Sequence, residues 1–135
     1  MADIPGSDRL HALAVLALDH GVASVRDGAL VAFAVEEDAQ GRRTVTRFPN
    51  PNGEEGVVHA RGHVHGSDAA RVAVCFAGFV ALEEGRSDAV WVMAQEPGLD
   101  ASVSFYLRYR TADARAQPVG NPGYGGQADP LMTSP

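Results

Sequence analysis

The longest apolar run in the chain, from Val72 to Leu82, constrains the fold more than any other feature. It has eleven residues, well short of the roughly 20 that a membrane-spanning helix needs. Alternate residues of a strand point to opposite faces, and here both sets are apolar. The run therefore predicts a central strand buried on both sides, and one layer of helices can cover only one of those sides.

Other segments predict further strands and the turns between them. Glu83–Arg86 and Pro97-Gly98 are turn sequences, so the apolar run and the two segments after it predict a three-stranded meander. A polar turn at residues 38–41 separates two earlier segments, which predict a hairpin. The predicted strands besides the apolar run are Ala29–Glu37, Arg42–Phe48, Ala89–Glu96 and Ser102–Arg110.

Two segments favour helices. From Asp8 to His20, apolar residues recur at helical spacing, with Ser7 as the N-cap and Gly21 placed to end the helix. Residues 22–26 could extend this helix past Gly21 or form a short strand, and a helical extension or a loop is favoured. Residues 54–65 fit a strand pattern as well as a helix pattern. Asn52, Glu55 and Gly66 stand where helix caps belong, and they favour the helix.

The predicted fold is an α+β two-layer sandwich. An antiparallel sheet of about five strands carries one or two helices on one face, in the order αββαβββ. Residues 1–116 form a single domain. Residues 117–135 are rich in glycine and proline and cannot fold alone. They are expected to form a C-terminal arm, either a loose tail or an extended segment packed on its own domain or on a partner.

Composition excludes several kinds of chemistry. All eleven basic residues are arginine, so no lysine is present to form a Schiff base or to bind phosphate in a P-loop. The net charge is −6 and the arginines form no basic stripe, so we expect no nucleic-acid partner. The acidic N-terminus lacks the basic leader and apolar stretch of a signal peptide, so we expect a cytoplasmic protein with no membrane partner.

Three histidines form the one cluster of potential metal ligands in the sequence. On a helix, His59 and His63 share a face, whereas on a strand His63 shares a face with His65. Either pair could begin a divalent-metal site, but the string fits no metal-binding motif. Solvated histidines on a polar helix face are the simpler interpretation.

One polar group could line a ligand site on the sheet. Glu96 ends one predicted strand and Arg108 lies in the next, so the two could meet across the hairpin or beside Tyr106 at the rim of a pocket. A surface ion pair is the simpler interpretation. Cys75 lies within the apolar run, and such a cysteine acts as a small hydrophobic residue with an unreactive thiol.

No motif in the sequence identifies an activity. The leading expectation is a small non-enzymatic module that needs no cofactor, acts by self-association and binds a protein or a small ligand. A metal-dependent enzyme or metal-binding protein centred on the histidines is the alternative. The two apolar faces of Val72–Leu82 predict a homodimer, because a partner copy would cover the face that the helices leave open. In the monomeric alternative, the C-terminal arm covers that face.

Overall fold

The computed structural model describes residues 4–27, 29–50 and 52–132, which form two helices and six strands. In chain order these are α1 (Asp8–Ser24), β1 (Phe33–Glu37), β2 (Arg43–Arg47), α2 (Gly53–His65), β3 (Arg71–Leu82), β4 (Gly85–Gln95), β5 (Ser102–Ala112) and β6 (Arg115–Ala128). All neighbouring strands pair antiparallel in one sheet, in the order β2-β1-β3-β4-β5-β6. The α+β class and the predicted element order are confirmed, with one strand added at the end.

The additional strand comes from the glycine- and proline-rich arm. Residues 115–128 pair with β5 from Ala112↔Arg115 to Ser102↔Ala128, with two irregularities in register. An arm that cannot fold alone is ordered here because β5 supplies the partners for its backbone hydrogen bonds. Residues 133–135 of the arm lie outside the described part of the chain.

The two helices lie on opposite faces of the sheet, where the sequence analysis expected both on one face. Ala73 and Cys75 of β3 belong to the core under α1, whereas Val72 and Val74 belong to the core under α2. We call these two sides the α1 face and the α2 face. The first half of the apolar run is therefore buried on both sides within a single chain.

The C-terminal segment completes the core on the α2 face. Leu131 is 1% exposed, and its backbone nitrogen donates to Gln95 Oε1 at 2.6 Å. The Met132 nitrogen donates to the same oxygen at 3.1 Å. This segment fills the space beside α2, so only the far half of the α2 face is left without a covering layer.

The helix ends follow local chemistry except at one glycine. Ser7 Oγ accepts from the Leu10 nitrogen at 3.1 Å, and Asn52 caps α2 as predicted. The helix over residues 54–65 is thereby confirmed. Gly21 does not end α1, because the helix continues to Ser24, as the helical extension expected for residues 22–26 allows. A Cβ at Gly21 would lie 2.7 Å from Val90 Cγ1, so the glycine allows close contact between helix and sheet.

Neither helix in the described ranges is long and apolar enough to cross a membrane.

Candidate functional site

One end of the sheet is left without a strand partner. β1 has five residues and β3 has twelve, so β1 pairs only with Arg71–Cys75. In the described parts of the chain, no strand pairs with residues 77–82 of β3 on the side where β1 ends. We call this region the open end: residues 76–82 of β3, 85–91 of β4 and 106–112 of β5.

The open edge of β3 differs from the other two edges of the sheet. The β2 edge carries the exposed arginines Arg43 and Arg47. The β6 edge carries Pro118 and Pro122 and has two breaks in register. Charges, prolines and bulges discourage a further strand from pairing. Residues 77–82 contain no charge and no proline, so this edge is unprotected.

The α1 face of the open end is apolar and exposed. Phe79 is 52% exposed, and Ala77 and Ala81 beside it on the same face are also exposed. The Arg86 guanidinium carbon lies 4.5 Å from the centroid of the Phe79 ring, a cation–π contact at the rim. The helix α1 does not cover these side chains.

The α2 face of the open end carries a row of aromatic side chains. Phe76, Trp91 and Tyr106 are cross-strand neighbours on β3, β4 and β5, and all three are half-buried. The Trp91 and Tyr106 ring centroids are 5.1 Å apart. Trp91 Nε1 donates to the Phe79 carbonyl oxygen at 3.2 Å. Trp91 is only partly buried, because no helix covers this part of the α2 face.

Glycines on neighbouring strands let these rings lie flat on the sheet. A Cβ at Gly78 would lie 3.0 Å from Trp91 Cδ1. A Cβ at Gly125 would overlap the six-membered ring of Trp91, and one at Gly123 would overlap the Tyr106 ring. The glycines of the predicted arm thus shape this aromatic surface.

Two connected clefts lie where the open edge meets β1 and α2. The larger has a volume of about 720 Å³ and an apolar lining that includes Leu30, Val57 and Phe76. The smaller has a volume of about 310 Å³ and is lined in part by Arg26 and Arg47. Residues 29–32 were predicted to be strand, but β1 begins only at Phe33, and Leu30 and Ala32 line both clefts.

The structure separates the three residues of the predicted ligand site. Tyr106 and Arg108 belong to the open end, where Arg108 lies opposite Ala89 and donates from Nε to Ser87 Oγ at 3.0 Å. Glu96 lies at the far end of β4 and accepts from Ser7 N and Ser7 Oγ, each at 2.7 Å. The expected approach of Glu96 to Arg108 does not occur. In a hairpin the last residues of one strand pair with the first residues of the next. Glu96 follows the end of β4, whereas Arg108 lies in the second half of β5, so the two are at opposite ends of the hairpin.

The histidines are on α2, and His59 and His63 share a helix face as predicted for a helix. His63 Nε2 is 2.8 Å from Glu36 Oε1, and its ring packs on Phe48. Glu36 also accepts from Ser67 Oγ at 2.6 Å. Among the described residues, no three side chains of the histidine, cysteine, aspartate or glutamate type are grouped to hold a metal ion.

Cys75 is fully buried under α1, and its Sγ lies 3.7 Å from the Ala17 carbonyl oxygen. Burial raises the pKa of the Cys75 thiol far above its ordinary value. A thiol held protonated is a poor nucleophile. The structure therefore supports the prediction of an unreactive cysteine.

No protein-family model, curated protein or solved structure matches this chain. Function is therefore inferred from the described residues alone. Their most distinctive arrangement is the open end, where an unpaired strand edge, two apolar faces and a cleft adjoin one another.

Proposed function

We propose that this chain is a small non-enzymatic module that acts by self-association, as a homodimer whose interface is the open end of the sheet. The single observation that carries the proposal is the exposure of apolar side chains on both faces of one strand end. Phe79 is 52% exposed on one face, and Phe76, Trp91 and Tyr106 are half-buried on the other.

The concentration of these side chains at one place supports an interface. Isolated exposed apolar residues are normal on protein surfaces, and Val45 and Val58 are of that kind here. Large aromatic residues grouped around an apolar patch are instead typical of protein interfaces. Tyrosine and tryptophan in particular supply much of the binding energy there.

A second copy can bind this surface symmetrically, because the open end lies at an edge of the sheet where the same patch of two copies can come into contact. Soluble oligomers are most often symmetric dimers in which the same patch is used twice. The open edge has no charged residue from 77 to 82, so two copies can approach there without repulsion between like charges within it.

Sedimentation equilibrium tests the proposal. The wild-type protein is expected at twice the 14.2 kDa chain mass, with dissociation on dilution. Phe79→Lys places a charge at the centre of the open end and should give the monomer. Val45→Lys is the matched control, since Val45 is 48% exposed on β2, which β1 separates from β3, and this variant should remain dimeric. A wild-type mass of 14.2 kDa at the highest usable concentration would overturn the proposal.

A further inference from the structure

The open end carries a more specific inference about how two copies meet. We propose that residues 77–82 of β3 pair antiparallel with the same residues of a second copy, across a two-fold axis perpendicular to the sheet. The two sheets then become one continuous sheet. This inference rests on the proposed self-association and specifies its geometry.

The first argument is the backbone of the open edge. The N–H and C=O groups of successive strand residues point alternately to the two sides, so every second residue of an edge offers a donor and an acceptor that need partners. The other residues of β3 face β4, and residues 77–82 give about three open positions along a segment of ordinary strand length. The Phe79 carbonyl already accepts from Trp91 Nε1, but a carbonyl oxygen has two lone pairs and can accept a second hydrogen bond.

The second argument is the match between the two faces. A two-fold axis perpendicular to the sheet brings the α1 face of one copy next to the α1 face of the other. With the axis at Val80, the half-buried Val80 faces Val80 of the second copy on the α2 face, and Leu82 lies opposite its Gly78. On the α1 face, the exposed Phe79 lies opposite Ala81 of the second copy and diagonal to its Phe79. A single contact between two copies thereby joins their apolar surfaces on both faces of the sheet.

The third argument is charge. Antiparallel pairing carries the Glu83-Glu84 turn of each copy past Ala77 of the other, to the clefts where β1 leaves β3. Arg26 and Arg47 line the smaller of these clefts. Their two positive charges outnumber the one carboxylate there, that of Glu54 in the larger cleft. Ala77 lines the larger cleft, and the two connected clefts together have a net positive lining, so an acidic turn placed there is complementary to the pair. Complementary charges help to fix the register of such contacts.

The protected edges explain why β3 is the strand that pairs. The edges at β2 and β6 carry the arginines and prolines described above, which disfavour pairing. A foreign apolar peptide could occupy the same edge in principle, but it would lack the acidic turn that suits the clefts. The second copy supplies both the strand and the turn.

Disulfide cross-linking tests this geometry. Cross-strand neighbours have Cβ atoms about 4.5–5.5 Å apart, close to the range that a disulfide bridges. Val80→Cys faces its own counterpart across the axis, so oxidation with copper phenanthroline should give a covalent dimer on a non-reducing gel. Phe79→Cys is diagonal to its counterpart, about 7–8 Å away, and should cross-link less efficiently. The wild type contains only the buried Cys75 and should not. Val45→Cys, 48% exposed on the β2 edge, is the matched control and should stay monomeric on the gel.

Hydrogen exchange on the unmodified protein gives a second measurement, independent of whether the variants fold. The amides of residues 77–82 should become more protected as protein concentration rises, and those of β2 should not. If sedimentation shows a dimer but neither variant cross-links and these amides stay unprotected, the strand pairing is wrong while self-association stands. A monomer by sedimentation would instead overturn the proposed function itself.

Discussion

Glu37 and Arg71 face each other across β1 and β3, with Arg71 Nε 2.5 Å from Glu37 Oε1. Arg43 on the opposite neighbour, β2, donates to the other carboxylate oxygen at 2.7 Å. One carboxylate on the middle strand thus joins three strands at the end of the sheet remote from the open end. The Glu37 side chain is 6% exposed and that of Arg71 is 10% exposed, so this is a buried ion pair.

Glu37→Gln should therefore be strongly destabilising, because it leaves the buried guanidinium of Arg71 without a counter-charge. We expect the free energy of unfolding to fall by ~3 kcal/mol. Arg42→Ala is the control, since Arg42 is 80% exposed and its ion pair with Asp38 should be worth less than ~0.5 kcal/mol. Urea denaturation of the two variants measures the difference. Equal, small losses would contradict the role assigned to Glu37.

The buried thiol of Cys75 should make stability depend on pH in the alkaline range. Its pKa is raised in the folded state by burial, so the fold keeps a proton that the unfolded chain releases near pH 8.5. Stability should be complete below that pH and fall above it, by about 1.4 kcal/mol at one pH unit higher. The chain has no lysine to obscure this effect.

Urea denaturation at pH 7.5 and 9.5 measures this dependence, and Cys75→Ala should lose most of it. The pKa of Tyr109 is also raised, by burial and by Asp88, and it contributes in the same direction at still higher pH. A thiol that reacts with Ellman's reagent in the folded protein would show that Cys75 is accessible and would contradict this account.

Two glycine-to-alanine variants should change the stability of the fold in opposite directions. At Gly125 an added methyl group would overlap Trp91, so Gly125→Ala should displace the indole, shift its fluorescence and lower stability by about 1–3 kcal/mol. At Gly62, on the exposed side of α2, a Cβ meets nothing within 4 Å. Gly62→Ala should raise stability by about 0.5–1 kcal/mol because alanine favours the helix. An unchanged fluorescence spectrum for Gly125→Ala would argue against the packing of Trp91 on β6.

Metal analysis tests the alternative centred on His59, His63 and His65. In the protein purified without a histidine tag, we expect less than one equivalent of zinc, iron, nickel or manganese by mass spectrometry. The reason is that His63 is bonded to Glu36 and the described residues form no three-ligand group. One equivalent in the wild type that disappears in His63→Ala would favour the metal-binding alternative instead.

The sequence predicted those elements whose signals are local. Asn52 was sufficient to identify the start of α2, because a cap acts within one turn of the helix. Gly21 has the residue type of a helix end but does not end the helix, because its role is not local. It allows close contact with Val90, which lies 69 residues away in the chain. Residues 115–128 were not assigned as a strand, because their composition disfavours one and only β5 orders them.

The candidate site was harder to predict, since it exists because residues 77–82 of β3 have no pairing strand beyond the end of β1. The two apolar faces of Val72–Leu82 were evident in the sequence, and so was the problem of covering both. The sequence did not show that β1 would stop pairing at Cys75, nor that α1 and α2 would lie on opposite faces. Those two facts decide which half of β3 is buried and which half is open.

The order of the elements also determines when the core can form during synthesis on the ribosome. Leu10, Leu13 and Leu18 of α1 are made early, yet the strands they pack against include β4 and β5, made much later. The last four strands, by contrast, follow one another as hairpins and need only neighbouring sequence to pair. The apolar stripe of α1 must therefore stay partly uncovered until about residue 107 has emerged, which makes this interval the period when a nascent chain is most exposed to chaperones and to aggregation.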